Sequence, residues 1–417
     1  MKPKQVAAIK GTKDILPEEV RTWQWVEAVS REVFELYGYR EIRTPVFEAT
    51  ELFEKGTGQT SDIVIKEMYT FTDRGGRSLT LRPEYTPSVV RAIIEHRLYL
   101  KPLPLRFYFI GPMFRYDKPQ KGRYRQFHQL DIEVFGEKDP AVDAEIVEMA
   151  VSLLLRLEVR DWELLVNSVG CRACRPAYHK ELKQAASVRE DRLCEDCRRK
   201  VVTNPLRIFD CKRETCREVS LEFPKIPDYL CPDCREHFQK FLGHLEAYGI
   251  SGRIEPRLVR GLDYYTKTTF EIISSRLGAQ DAILGGGRYD DMMKDFGGPD
   301  ICGIGFAAGM ERLLSLVPSR KESGAFVYLV CLGEEARDAG MGLARELRQA
   351  RIPCLLEYKD RSLRNQMSRA NKLSAQWTLI IGEEEVKTSV FSLKDMKTGE
   401  QERLSKQDLI ARLKKRF

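Results

Sequence analysis

Residues 114–136 read FRYDKPQKGRYRQFHQLDIEVFG, and this stretch decides the fold prediction. Five cations oppose a single acid, Asp117, in its first half, and an alternating apolar pattern follows at once. The apolar run LRFYFIGPMF precedes it, with Pro119 and Gly122 as turn residues between the two runs. The pattern predicts an antiparallel hairpin whose basic tip binds polyphosphate or a nucleic-acid end. For the cation run alone, a solvated charged hairpin is the alternative.

The composition is that of a globular protein of several domains. The chain has 417 residues, of which 42% are hydrophobic and 31% charged, with a formal net charge of +7. This modest excess of cations suits a protein that meets phosphate through local patches. The first 20 residues lack the apolar core of a signal peptide, and no uncharged apolar run reaches membrane-spanning length. We therefore expect a cytoplasmic location and no membrane partner.

Cysteine is clustered, with eight of the eleven cysteines between residues 171 and 234. In a chain without a secretory signal, such clustering indicates metal rather than disulfides. A short gap lets one turn of backbone offer two thiolates to a tetrahedral ion, so four pairs predict one or two structural zinc sites. Packed thiols are the alternative. The pairs are Cys171 with Cys174, Cys194 with Cys197, Cys211 with Cys216, and Cys231 with Cys234.

Two regions differ in the order of their predicted elements. Antiparallel strands with helices segregated among them predict an α+β fold up to about residue 320, including a helix from Pro17 to Tyr37 and a strand over 257–274. From Ala325, strands and helices alternate, which predicts a small α/β domain. This last segment carries 18 Lys and Arg against 13 Asp and Glu, so most of the net positive charge lies there.

Three separated motifs resemble those of class II aminoacyl-tRNA synthetases, in the same order. They are RTPVFE at 43–48, the hairpin at 114–133, and GIGFAAGMERLL at 303–314. RGLDYYTKTTFEI from Arg260 and GGGRYDD from Gly285 resemble the histidine-specific motifs of the histidyl-tRNA synthetase family. The resemblance covers nearly the whole chain. It implies an antiparallel-sheet catalytic core (1–167 and 251–320), a cysteine-rich inserted domain (168–250) and an α/β anticodon-binding domain (325–417).

The resemblance implies that histidine and ATP, with Mg²⁺, form histidyl adenylate, and that tRNA(His) then accepts the histidine. The attacking carboxylate is already ionised at neutral pH, so the reaction needs alignment and charge neutralisation rather than a general base. Arginines suit that task because they stay protonated and present planar forks. Arg115, Arg260 and Arg312 are the expected catalytic and ATP-binding residues, with Arg260 at the α-phosphate.

The resemblance also implies the residues that bind the other substrates. Gln120 to Arg123, at the hairpin tip, would contact the acceptor end of the tRNA. Members of the family work as homodimers, with the segment that corresponds to residues 43–48 near the interface. Tyr85 is a departure, since many members have glycine there. The expected residues around histidine are Glu84, Thr86 and Gln129 at the α-amino group, Glu133, Tyr264, Tyr265 and Tyr289 in the side-chain pocket, and Tyr85 in the same binding set.

Two other classes of protein fit part of these features. A non-catalytic paralogue regulates ATP phosphoribosyltransferase in histidine biosynthesis, but it usually lacks the C-terminal domain and much of the motif set, both of which this chain keeps. A generic zinc-bearing RNA-binding protein explains the cysteines and the charge, yet it leaves Arg260 to Tyr265 without a role. A pyrophosphate-exchange assay with histidine separates the synthetase from both.

Overall fold

The structure is a computed structural model that describes residues 6–118, 122–278, 281–320 and 326–415. The chain divides into two units, Met1–Arg320 and Lys321–Phe417. The helices of the cysteine-rich block belong to the first unit, and the limits of that block at residues 168 and 250 remain a prediction. Among the described residues, no helix has the length and apolar character needed to cross a membrane.

Helices and strands in the first unit are mixed along the chain. Its α-helices are α1 (Pro17–Leu36), α2 (Thr50–Thr57), α3 (Thr86–Glu95), α4 (Pro140–Arg156), α5 (Arg175–Ser187), α6 (Glu195–Thr203), α7 (Glu214–Ser220), α8 (Pro232–Ala247), α9 (Met292–Asp295) and α10 (Met310–Leu316). Its strands are β1 (Arg40–Glu41), β2 (Phe47–Ala49), β3 (Tyr69–Thr72), β4 (Ser78–Leu81), β5 (Leu105–Phe114), β6 (Gln126–Phe135), β7 (Glu163–Ser168), β8 (Arg253–Ile254), β9 (Thr266–Ile273), β10 (Ala282–Arg288) and β11 (Gly303–Gly309).

An eight-stranded sheet in the order β1-β5-β6-β11-β10-β9-β7-β8 forms the centre of this unit. The six strands from β5 to β7 pair antiparallel, and only the short edge strands β1 and β8 are parallel to their neighbours. β5 and β6 pair along their whole length, from Leu105 with Phe135 to Phe114 with Gln126. The predicted hairpin and the α+β class are therefore confirmed.

Strand β6 separates the hydrophobic core from the opposite face of the sheet. Leu130, Ile132 and Val134 are almost fully buried in the main core, together with residues of α1 and α4. Because successive strand residues point to opposite faces, Gln129 and Glu133 lie on the other side. The polar side of the predicted hairpin strand therefore faces away from the core.

The predicted strand over 257–274 begins later than expected, at Thr266. The amide of Asn167 donates hydrogen bonds to the carbonyl oxygens of Pro256 and Leu258, at 3.2 and 3.0 Å. These bonds satisfy backbone groups that a strand partner would otherwise take, so the segment before Thr266 is a loop. The loop brings Arg260 to Tyr265 to the polar face of the sheet.

The second unit confirms the predicted α/β domain. Its elements are β12 (Val327–Cys331), α11 (Glu334–Gln349), β13 (Cys354–Leu356), α12 (Leu363–Lys372), β14 (Trp377–Ile381), α13 (Glu383–Thr388), β15 (Val390–Asp395), β16 (Gln401–Ser405) and α14 (Lys406–Lys414). The five strands form one sheet in the order β13-β12-β14-β15-β16, with β12 parallel to both of its neighbours. Helix α13 and strand β16 were not predicted.

Candidate active site

A cavity of about 400 Å³ lies in the first unit, on the polar face of the large sheet. Residues from the hairpin, the loop before β9, the ends of β10 and β11 and the start of α3 line it. Arg123 of the predicted tRNA-binding pair also lines the cavity, whereas Gln120 lies outside the described residues. The cavity brings together every residue predicted for ATP and histidine: Glu84, Tyr85, Thr86, Arg115, Gln129, Glu133, Arg260, Tyr264, Tyr265, Tyr289 and Arg312.

Four arginines from distant parts of the chain share the cavity. Arg260 pairs with Glu271 of β9 at 3.0 Å, and the Nε of Arg115 donates to the carbonyl oxygen of Pro83 at 2.8 Å. Burial lowers the pKa of Arg312; Glu271 opposes this shift, and the charges of Arg123, Arg115 and Arg260 add to it. The cations therefore repel one another in this cavity, and a bound polyanion would relieve the repulsion.

Two buried glutamates face the same cavity within a network of hydroxyl groups. Glu84 accepts hydrogen bonds from the hydroxyls of Thr57 and Tyr264, the latter at 2.9 Å. Glu133 accepts from Thr86 at 2.5 Å and from Tyr289. Burial raises the pKa of Glu84 above its ordinary value and that of Glu133 to about 8. The hydrogen bonds fix the orientation of both carboxyl groups, and a ligand that donates hydrogen bonds or carries a positive charge would favour their ionised form.

Glycines on β10 and β11 let these charged groups approach the sheet. A Cβ added to Gly285 would lie 2.6 Å from the guanidinium carbon of Arg260. A Cβ on Gly305 would lie 3.0 Å from the carboxyl carbon of Glu133. Cβ atoms essentially never lie within 3.0 Å of another heavy atom, and at 3.0 Å the neighbouring group would have to move by a few tenths of an ångström. The glycines therefore make room for the two charges that the predicted reaction uses.

Tyr85, the departure from the family pattern, lines the cavity but is fixed by its own contacts. Its ring stacks on Phe109 with 3.7 Å between the centroids, and its hydroxyl donates to the carbonyl oxygen of Ile42 at 2.6 Å. Its hydroxyl is therefore engaged with the backbone. Tyr85 acts as part of the wall of the cavity.

Three acids near the site were not predicted from the sequence. Glu271 pairs with Arg260, and Asp131 lies on β6 between Gln129 and Glu133. Glu311 accepts hydrogen bonds from the backbone N–H of His128 at 3.0 Å, which ties the start of α10 to β6. The alternation of polar residues along β6 was a signal that could have identified Asp131.

The eight clustered cysteines form two groups of four within the described residues. In each group the sulfur atoms all lie within 4.8 Å of one another. Neighbouring sulfur atoms are 3.7 Å apart for Cys171 and Cys174, and 3.9 Å apart for Cys194 and Cys211. The pairing, which the sequence left open, is Cys171 and Cys174 with Cys231 and Cys234, and Cys194 and Cys197 with Cys211 and Cys216.

Comparisons with known proteins agree with this geometry. The family described as Histidyl-tRNA synthetase matches residues 11–194 and 212–313, and the one described as Anticodon binding domain matches 326–416. The chain is 48% identical over 415 residues to a histidine–tRNA ligase of Halothermothrix orenii, covering 98% of this chain and 99% of that protein. It is 49% identical over 397 residues to a histidine–tRNA ligase of Pelotomaculum thermopropionicum, covering 94% and 93%.

A solved structure shares the whole architecture. The apo histidyl-tRNA synthetase of S. aureus superposes with a TM-score of 0.83 at 35% identity, covering 98% of this chain and 100% of that chain. The antiparallel sheet, its arginine-lined cavity and the appended α/β unit are those of a class II aminoacyl-tRNA synthetase. The chain belongs to the histidyl-tRNA synthetase family.

Proposed function

We propose that the chain is a histidine–tRNA ligase, which forms histidyl adenylate from histidine and ATP and then transfers histidine to the 3′ end of tRNA(His). One observation carries the proposal: a single cavity combines four arginines with two buried, hydrogen-bonded glutamates. The arginines can form ion pairs with the phosphates of ATP, and the carboxyl groups can accept hydrogen bonds from the N–H groups of histidine. Membership of the family supports the same activity.

In the first step, a carboxylate oxygen of histidine forms a bond to the α-phosphorus of ATP, and the bond to the β-phosphate oxygen breaks. Diphosphate leaves, and no proton needs to be removed from the nucleophile. Arg115, Arg260 and Arg312 would align the phosphates and stabilise the charge that develops on them. Mg²⁺ would enter with ATP and neutralise part of its charge.

Histidine would lie against the acidic part of the cavity. Glu133, oriented by Thr86 and Tyr289, would bind the imidazole ring, and Tyr264 and Tyr265 would enclose it. A site that pairs the ring nitrogens leaves polar groups unpaired when another amino acid enters. That penalty would give the selectivity for histidine.

The tRNA would contact both units of the chain. The hairpin tip, from Gln120 to Arg123, would bind the acceptor end, and the side chain of Arg123 is 41% exposed. The second unit, which matches the Anticodon binding domain family, would bind the anticodon. Phosphate contacts at both places would make charging sensitive to salt.

Exchange of labelled pyrophosphate into ATP tests the proposal. The full chain should catalyse exchange that depends on histidine and should charge tRNA(His) with it. Other amino acids at equal concentration serve as the control. Histidine-independent or absent exchange in folded protein would instead favour a non-catalytic paralogue.

We also propose that the enzyme is a homodimer with the 43–48 segment near its interface. Apolar side chains are exposed here: Phe47 is 52% exposed and Phe71 44% exposed, and their rings contact each other at 6.4 Å between centroids. Paired exposed aromatic residues are typical of an interaction surface. Light scattering of the purified protein tests the dimer.

Each cysteine group is proposed to hold one structural zinc ion. A tetrahedral zinc with four sulfur ligands at about 2.3 Å sets neighbouring sulfur atoms about 3.8 Å apart. The distances of 3.7 and 3.9 Å in the two groups agree with this geometry. All eleven cysteines, which lie in the described part of the chain, are free cysteines.

Purified protein is expected to contain about two zinc ions per chain by elemental analysis. Cys234→Ser and Cys197→Ser should each reduce the content by about one ion, because each removes one ligand from a different group. Cys354→Ser is the matched control: this buried thiol lies outside both groups and donates to the carbonyl oxygen of Ala344 at 3.5 Å, as a hydroxyl can. Metal-free protein with full activity and stability would leave the cysteines as packed thiols.

A further inference from the structure

Asp131 lies at the middle of strand β6, on the face that lines the substrate cavity. It pairs in register with Phe109 of β5 and Ala307 of β11, so it lies inside the sheet. Only 3% of its surface is exposed. Gln129 and Glu133, two positions to either side, line the same cavity. The strand therefore presents three polar side chains to the bound substrate in a row.

Both carboxylate oxygens of Asp131 lack a hydrogen-bond partner among the described residues. Glu84 and Glu133, by contrast, each accept two hydrogen bonds from hydroxyl groups. The nearby cation Arg82 gives its hydrogen bonds to the backbone oxygens of Pro112, Thr44 and Pro45 instead. A buried carboxylate without a partner is costly, so its retention in a cavity wall points to a ligand.

The unpaired groups beside Asp131 define the chemistry of that ligand. The Oε1 atom of Gln129 also lacks a partner, so the two side chains together offer three unpaired acceptor oxygens. An alkylammonium group carries three N–H donors and a positive charge, which matches this set in number and sign. Glu84 and Thr86, which the resemblance also places at the α-amino group, keep free lone pairs beside the hydrogen bonds they already make, so they can share this ligand.

We propose that Asp131 is a specificity-determining residue that binds the α-ammonium group of the amino-acid substrate, together with Gln129. The assignment rests on the proposed function, in which histidine is that substrate. It divides the strand by role: Gln129 and Asp131 bind the ammonium group, and Glu133 binds the imidazole. Burial and the charge of Glu133 raise the pKa of Asp131, and an adjacent ammonium group would lower it again.

Asp131→Asn in the full-length protein tests the assignment, since asparagine keeps the shape and removes the charge. Binding is measured by calorimetry without ATP for three compounds: histidine, histidinol and imidazole-lactate. Imidazole-lactate carries a hydroxyl in place of the amino group. We expect the variant to bind histidine and histidinol about 10- to 100-fold more weakly, the range for losing a charged hydrogen-bond partner. Binding of imidazole-lactate should change by less than about twofold.

Glu133→Gln is the matched contrast on the same strand. This variant should bind all three compounds more weakly and by a similar factor, because each contains the imidazole ring. Thermal unfolding provides a second readout: Asp131→Asn replaces a buried carboxyl group that has no hydrogen-bond partner, so it should not lower the melting temperature. Equal loss of histidine and imidazole-lactate in Asp131→Asn, or no loss of either, would overturn the assignment. A wild-type chain that binds none of the three compounds would overturn the proposed function itself.

Discussion

Replacement of Arg260 by alanine is expected to lower histidine-dependent pyrophosphate exchange by about two to three orders of magnitude. The affinity for histidine without ATP should change little. The guanidinium group lies in the cavity, paired with Glu271 at 3.0 Å, where charge would develop on the α-phosphate during adenylate formation. A preorganised charge in that position lowers the barrier more than it strengthens the binding of the ground state. Single-turnover formation of the adenylate and histidine calorimetry separate the two effects.

Lysine at position 260 should restore little of the lost rate, because a point charge cannot reproduce the planar fork. Arg257→Ala is the matched control. Arg257 lies three residues earlier on the same loop, outside the cavity lining, and pairs with Glu255 at 3.0 Å. Its loss should leave exchange nearly unchanged, since it removes only a partly exposed ion pair. Exchange near the wild-type rate in Arg260→Ala would contradict the role assigned to this residue.

Local patterns in the sequence were sufficient to predict much of the first unit. The helix predicted from Pro17 to Tyr37 is α1, Pro17–Leu36, and the predicted hairpin is β5 with β6. In both cases apolar periodicity and turn residues agree with the final fold. The loop before Thr266 was predicted as strand because its apolar residues resemble one, and contacts such as that of Asn167 with the carbonyl oxygen of Leu258 hold it outside the sheet. Such a contact joins residues about 90 positions apart, which no local window can detect.

The same distinction applies to the candidate site. The ATP and histidine residues came from motifs, and the fold gathers them in one cavity. Asp131 was missed although Gln129 and Glu133 were predicted on the same strand, two positions to either side of it. Alternate residues of a strand face the same side, so the sequence pattern was sufficient to predict Asp131 in the cavity. The place of Glu271 at the site depends on how β9 pairs in the sheet. The grouping of Cys171 with Cys231 depends on a contact between residues that are 60 positions apart in the sequence. Those contacts are set by tertiary packing.

A chain that ends at Arg320 is expected to keep histidine-dependent pyrophosphate exchange within about twofold while charging of tRNA(His) falls by about two orders of magnitude or more. All residues proposed for ATP and histidine lie before this point, and the first unit has a hydrophobic core of its own. Ending at Arg320 also keeps its contact with Trp25, in which the guanidinium carbon lies 4.0 Å from the ring centroid. Initial rates of exchange and of aminoacylation, measured on the same preparation, check the prediction.

A short acceptor-stem RNA without an anticodon separates the loss of anticodon contacts from damage to the catalytic unit. Both the full and the shortened chain should charge this RNA slowly and at similar rates, because neither can use the second unit on it. With whole tRNA(His), only the full chain gains the additional binding energy, and alignment of the 3′ end depends on that energy. If the shortened chain charged whole tRNA(His) as fast as the full chain, residues 326–415 would have no part in reading the anticodon.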